Sequence, residues 1–220
     1  MKRSEINVIL REAKEFLATH SWSLPPWAFW TPKEWESCGS EIDEIKENML
    51  GWDITDFGSG NFEKRGLFLF TLRNGNTSLS SDKMYAEKIM IVQPHQETPM
   101  HFHSLKMEDI INRGGGELCI QLYVATKDEK LSPEDVTVSI DGITRTLKAG
   151  DIVRLSVGES ICLKPFMYHR FWAEKGTTLV GEVSLVNDDV RDNKFYEEVG
   201  RFPAIEEDEA PLHVLVSDYS

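Results

Sequence analysis

Residues 100–118 read M-H-F-H-S-L-K-M-E-D-I-I-N-R-G-G-G-E-L. On an extended strand His101 and His103 project to the same face, because side chains alternate with a period of two. Glu108 follows five residues after the second histidine, and Gly114 to Gly116 read as a turn that closes the segment. Farther on, Gly158 to Trp172 (G-E-S-I-C-L-K-P-F-M-Y-H-R-F-W) brings His169 just past a proline-containing turn, at the start of another apolar strand. A strand histidine is by default an ordinary strand residue. Here an H-x-H pair, a spaced glutamate and a second strand histidine occur together, and that company argues for a metal site with open positions. His20, His95 and His213 have no such neighbours.

The surrounding pattern is β. Leu67 to Leu72, Tyr85 to Val92, Thr98 to His103 and Glu117 to Val124 read as strands, with R-N-G-N (Arg73 to Asn76) as a turn signal. Asp141-Gly142 sits between V-T-V-S-I and I-T-R-T-L, a strong hairpin signal. Ile152 to Leu155, Ser160 to Leu163, His169 to Ala173 and Thr177 to Leu185 complete the set. Many strands with glycine and proline turns predict an all-β sandwich or barrel, not a parallel α/β sheet.

Ahead of the strands, Ile6, Ile9, Leu10, Ala13, Phe16 and Leu17 have helical spacing, with Ser4 as the expected N-cap and an end before Ser21. Three prolines then forbid regular helix in an arm that holds Trp22, Trp27, Trp30 and Trp35. A second short helix is expected over Cys38 to Asn48. The organisation predicted is an N-terminal helical and aromatic arm (1–50), a barrel (51–186) and an acidic C-terminal segment (187–220) wrapping it. The arm's Trp27, Phe29 and Trp30 are expected to serve packing first, with a cavity cap or a subunit interface as alternatives.

Composition narrows the function. At 220 residues with 40% hydrophobic content the chain suits one full domain. A net charge of −13 argues against a nucleic-acid partner, which requires a basic surface. Much of the excess lies at Glu197, Glu198, Glu206, Glu207, Asp208 and Glu209, which reads as a solvated face. The apolar runs are too short to span a membrane, and the polar start M-K-R-S-E-I-N has no secretory signal pattern. Three cysteines without a CxxC suit a reducing compartment, so a cytoplasmic protein is expected. Mixed nitrogen and oxygen donors without thiolate leave Mn, Fe, Co, Ni and Zn open as the metal.

The 101–115 spacing resembles the first cupin motif, although the leading glycine is absent. Gly158, Pro165 and His169 match the second motif only loosely, each gap being shifted by one and the inner glycine and terminal asparagine missing. This implies the cupin fold, a double-stranded β-helix or jelly-roll barrel. More closely, H-F-H-S-L-K-M-E-D-I-I-N-R-G-G-G, preceded by G-W-D-I-T-D-F-G-S-G and L-F-L-F-T-L-R-N-G and followed by P-F-M-Y-H-R-F-W, resembles the D-lyxose isomerase family from about Leu50 to Leu185. The resemblance implies a Mn2+-dependent aldose–ketose isomerase that interconverts D-lyxose with D-xylulose and D-mannose with D-fructose. It also implies His101, His103, Glu108 and His169 as metal ligands, and a homodimer.

Such chemistry needs a group that moves a proton between C2 and C1 and another that manages hydroxyl protons. Lys106, three residues after His103, and Glu182, in the apolar run T-T-L-V-G-E-V-S-L, are the catalytic candidates. Alternation puts Glu182 on one face with Val180 and Ser184, facing either lumen or solvent; burial there would raise its pKa toward neutrality. Lys88 and Asp192 are candidates for binding the sugar, and Asp189, Asp192 and Asn193 for a loop closing over the site. An iron-dependent dioxygenase and a non-catalytic sugar-binding cupin are the alternatives outside the class. A phosphosugar isomerase is the nearer rival, but no Arg/Lys cluster suggests a phosphate site.

Overall fold

Strands buried on both faces decide the architecture, and Tyr85–Val92 is the plainest example. Its Met90 and Val92 enter one core, while Ile89 and Ile91 enter another beneath the N-terminal helix. The structure, a computed structural model, describes residues 1–76, 83–188, 191–200 and 202–219. The expected turn at Arg73 to Asn76 leads into residues 77–82, and Asp189 also lies outside the described residues.

In chain order the strands are β1 (Gly51–Thr55), β2 (Leu67–Arg73), β3 (Tyr85–Val92), β4 (His101–His103), β5 (Glu108–Val124), β6 (Val136–Ile140), β7 (Ile143–Leu147), β8 (Ile152–Leu155), β9 (Ser160–Leu163), β10 (Met167–Leu185) and β11 (Asn193–Phe195). They pair antiparallel in the order β1-β2-β3-β10-β5-β9-β6-β7, with β4 on β10, β11 on β4 and β8 on β5. This is the all-β cupin fold. One core fills its interior, with Ile110, Leu118, Ile120, Val153, Leu163 and Val180 among its members. Each such side chain contributes about 1.5–3 kcal/mol on burial.

The two long strands belong to both halves of the barrel. β5 pairs with β9 through Glu108–Ile111 and with β8 through Leu118–Gln121. β10 pairs with β4 at His169 and with β3 through Thr178–Leu185. Gly114 to Gly116 therefore do not form the expected turn; they lie inside β5, where its register with β10 shifts. A Cβ on Gly115 (φ +87°) would collide with the Thr177 carbonyl, and one on Gly116 with the Gly176 carbonyl. The glycines are there for close backbone approach. Likewise the expected strands His169 to Ala173 and Thr177 to Leu185 are one strand, and Thr98 to His103 shortens to β4 because Pro99 lacks an N–H.

Helix α1 (Arg3–Thr19) lays Ile6, Leu10, Ala13 and Leu17 on the outer face of β1 to β3. Ser4 is not its N-cap. Lys2 occupies that position, with its N–H donating to Glu5, and the Ser4 hydroxyl donates to Asp208 at 2.7 Å. The proline-rich arm does hold a short helix, α2 (Pro32–Glu36), since proline is tolerated at its first position and Thr31 caps it. The helix expected over Cys38 to Asn48 shrinks to a 3₁₀ turn and α3 (Asp43–Glu47).

The tryptophans pack on the outside of the barrel. Trp27 lies 5.2 Å from Phe70, Trp35 lies 5.4 Å from Tyr219, and Trp52 Nε1 donates to the Ala28 carbonyl at 2.6 Å. Parts of the acidic tail are also engaged: buried Arg3 pairs with Glu207 at 2.7 Å and Asp218 at 3.0 Å, and Arg65 with Glu197 at 3.1 Å. β11 extends the sheet past the boundary expected at residue 186. Among the described residues no helix is long and apolar enough to cross a membrane.

Buried Asn112 stitches the shifted segment of β5. Its Nδ2 donates to the carbonyls of Gly116 and Leu155, both at 2.9 Å, and its Oδ1 accepts from Gly114 N–H at 3.0 Å. Asn112→Ala strands those buried groups, each costing about 1–3 kcal/mol. Urea unfolding should register a loss of about 2–4 kcal/mol; a loss below about 1 kcal/mol would mean that the glycines alone hold the register.

Candidate active site

The register of two strands sets the geometry. His101 and His103 share a face of β4, and His101 pairs directly with His169 of β10. One ring nitrogen from each of the three histidines lies within 4.8 Å of the others. Glu108, the first residue of β5, places Oε1 3.1 Å from His169 Nε2 and Oε2 3.5 Å from His103 Nε2.

Hydrogen bonds select the tautomers. His101 Nδ1 lies 2.9 Å from the Pro99 carbonyl and His169 Nδ1 lies 3.0 Å from the Met167 carbonyl, so each Nδ1 carries a proton and donates it. In the neutral form of such a ring Nε2 presents the lone pair. Burial, with His169 and His103 next, holds His101 well below the usual imidazole range; burial and then Lys106 lower His103. His169 Nε2 faces a carboxylate oxygen at 3.1 Å, an arrangement that a proton satisfies in the imidazolium and that a metal ion would satisfy with the ring neutral. Three imidazoles with two Nδ1 atoms already committed, beside a carboxylate, are a donor set that fits a metal ion.

A second pairing of charges lies beside it. Lys106 Nζ donates to Glu182 Oε1 at 2.8 Å and Asn187 Oδ1 at 3.1 Å and pairs with Glu108 Oε2 at 2.8 Å. Three acceptors thus surround the ammonium. Burial opposes its charge, but Glu108 and Glu182 outweigh burial and raise it above the ordinary lysine value. Lys88 Nζ donates to Asn187 Oδ1 at 2.7 Å and lies 3.4 Å from Glu182 Oε1. Glu182 faces the lumen and is buried. Its pKa is not raised as expected: burial pushes it up, yet Lys106 and then Lys88 bring it below the usual value. Glu108 behaves alike, burial being overcome by Lys106 and His103.

All of these side chains except Asn187 line one cavity of about 520 Å³, mouth included. Leu67, Leu69, Met90 and Phe171 form an apolar wall, and Phe57 and Phe195, with ring centroids 5.9 Å apart, stand at its edge. Asp192 does not join this wall, contrary to its expected sugar-binding place. Its carboxylate turns toward the backbone and accepts from the N–H groups of Leu105 at 2.7 Å and Lys106 at 3.0 Å, with Oδ2 3.7 Å from His103 Nδ1. Asn193 lines the cavity from β11, and the aromatic arm lies elsewhere. Another trio of donors, Glu117, Cys119 and Glu174, is approached by Arg154 and Lys175, and burial pushes the Cys119 thiol up to about 11.

Sequence reasoning missed Asn187, Phe57 and Phe195. β11 has only three residues, too few to show a period, and a polar loop asparagine carries no pattern of its own.

A family model described as D-lyxose isomerase matches residues 1–219. The chain belongs to the D-lyxose isomerase family. It is 49% identical to a D-lyxose/D-mannose isomerase of Escherichia coli O157:H7, the match covering 100% of this chain and 98% of that protein. A D-lyxose/D-mannose isomerase of Serratia proteamaculans is 47% identical over the same shares. The fold is also similar to that of an L-ribose isomerase from Cellulomonas parahominis solved with L-ribose, with a TM-score of 0.61 at 18% identity, covering 94% of this chain and 98% of that one.

Within this family member, Asp192 holds the loop that carries Lys106. Asp192→Ala removes two charge-assisted bonds worth about 1.5–3 kcal/mol each. Hydrogen exchange at the Leu105 and Lys106 amides should quicken about tenfold or more. Unchanged protection would show that the loop is held by other contacts.

Proposed function

We propose that this chain is a metal-dependent aldose–ketose isomerase that interconverts D-lyxose with D-xylulose, and D-mannose with D-fructose, through an enediolate. The observation that carries the reading is the cluster of three histidine nitrogens with Glu108 Oε1 3.1 Å from His169 Nε2, beside a buried Lys106–Glu182 pair. The D-lyxose/D-mannose isomerases related to it at 49% and 47% identity support the choice of sugar.

His101, His103, Glu108 and His169 would hold the ion, and Mn2+ suits their nitrogen and oxygen donors, as do Fe, Co, Ni and Zn. A divalent ion there supplies Lewis-acid stabilisation of the negative charge that develops on the sugar oxygens. Glu182, ionised at neutral pH, takes the proton from C2 through its cavity-side oxygen and returns it to C1. Lys106 acts through Glu182: it fixes Oε1 and keeps the carboxylate ionised. Lys88 gives an ammonium proton to O1 as that carbonyl becomes a hydroxyl and, as the amine, takes back the proton that O2 loses, so its charge is restored. The apolar wall and the two phenylalanines keep water from the intermediate.

The same reading covers the setting. The barrel of 51–186 is the working part, with 1–50 and 187–220 wrapped around it. Free cysteines at 38, 119 and 162 support a cytoplasmic location. Exposed apolar side chains on adjoining segments, Tyr85, Met107, Val183 and Leu185, support a homodimer.

Purified protein supplied with Mn2+ and D-lyxose should form D-xylulose, lose activity in EDTA and regain it when Mn2+ is restored. Glu182→Gln should lower kcat about 10²- to 10⁴-fold with bound metal unchanged. Turnover indifferent to EDTA contradicts the metal's role, and a fully active Glu182→Gln contradicts the proton transfer.

A further inference from the structure

Two buried ammonium groups converge on one neutral oxygen. Lys88 Nζ lies 2.7 Å and Lys106 Nζ 3.1 Å from Asn187 Oδ1. Like charges this close repel, so something must hold both against the repulsion and aim them. Glu182 attracts them through a single oxygen, Oε1, at 3.4 Å from Lys88 and 2.8 Å from Lys106. Asn187 is the other shared acceptor.

The amide is held by other asparagines. Asn187 N–H donates to Asn74 Oδ1 at 2.9 Å, and Asn74 Nδ2 donates to the Asn187 carbonyl at 3.0 Å. Asn74 Nδ2 also reaches the Asn48 carbonyl at 3.2 Å, while Asn48 Nδ2 donates to the Asn74 carbonyl at 3.0 Å. Asn48 and Asn74 are both buried. The backbone of Asn187 is thus clamped on both polar groups, and its side chain must turn oxygen toward the lysines, because an NH2 there would face two cations.

We propose that Asn187 is a positioning residue of the isomerase reaction, and that its neutrality is what matters. A neutral acceptor shares the two lysines with Glu182 without competing for their charge. A carboxylate at the same place would draw both ammoniums toward itself and away from Glu182 Oε1. The cavity-side oxygen of Glu182 would then lose its fixed direction. The inference deepens the isomerase reading and rests on it.

The test pairs two variants. Asn187→Ala removes the shared acceptor, and kcat on D-lyxose should fall roughly 10- to 100-fold, the scale of a small misplacement of reacting groups, with KM raised. Asn187→Asp keeps an acceptor in the same place, so a merely structural role predicts rescue; the proposal predicts that kcat stays at least about tenfold down while folding and metal content match the parent. Wild-type kcat in Asn187→Asp overturns the proposal, as does an Asn187→Ala protein altered only in thermal stability. A second readout is independent of turnover: in Zn2+-loaded, 15N-labelled protein the Lys88 and Lys106 ammonium hydrogens should exchange faster in Asn187→Ala, and unchanged exchange also overturns it. Inactivity of the unsubstituted chain on every aldose would instead sink the isomerase reading.

Discussion

The contact between Glu108 Oε1 and His169 Nε2, 3.1 Å, is the constraint on which the site depends. With the Nδ1 proton of His169 committed to the Met167 carbonyl at 3.0 Å, the neutral ring would set a lone pair against the carboxylate. Both side chains are buried, and bare repulsion in a low-dielectric interior is costly. The backbone keeps them together regardless, because His169 is locked opposite His101 on β4 while Glu108 opens β5, the long strand paired along β10. The fold thereby prepares a donor set suited to a metal ion.

Charge balance explains the neighbouring groups. Glu108 and Glu182 face Lys88 and Lys106, so the buried carboxylates are matched by buried ammoniums before any ion arrives. A divalent ion then brings a net positive charge to the cavity, which suits negative charge developing on a sugar's oxygens. That balance also explains why Glu182 is held below its ordinary pKa despite its burial. Desolvation alone gives the opposite sign, and the two lysines reverse it.

Much of this was legible in the residues, and the failures have physical causes. The same-face placement of His101 and His103, the hairpin at Asp141-Gly142 and the strand Tyr85 to Val92 read correctly because strand geometry, turn chemistry and a local apolar run govern them. Which way Glu182 faced was undecidable, since α1 covers the outer side of the same sheet and Leu179 is buried there as well. The glycine run looked like a turn because close backbone packing and chain reversal both select glycine. Asp192 was sought in the cavity because its acidity is visible in sequence; its engagement by the amides of Leu105 and Lys106 is a tertiary fact. Asn187 gave no signal at all. Its position is set by Asn74 and Asn48, remote in sequence and joined only when the sheet closes.

Pulsed electron paramagnetic resonance of the Mn2+-loaded chain addresses the central claim most directly. Imidazole nitrogens of His101, His103 and His169 bound to the ion should give 14N couplings that weaken when any one of those histidines is replaced. Bound Mn2+ that shows only water and carboxylate oxygens, with no 14N coupling, would contradict the account.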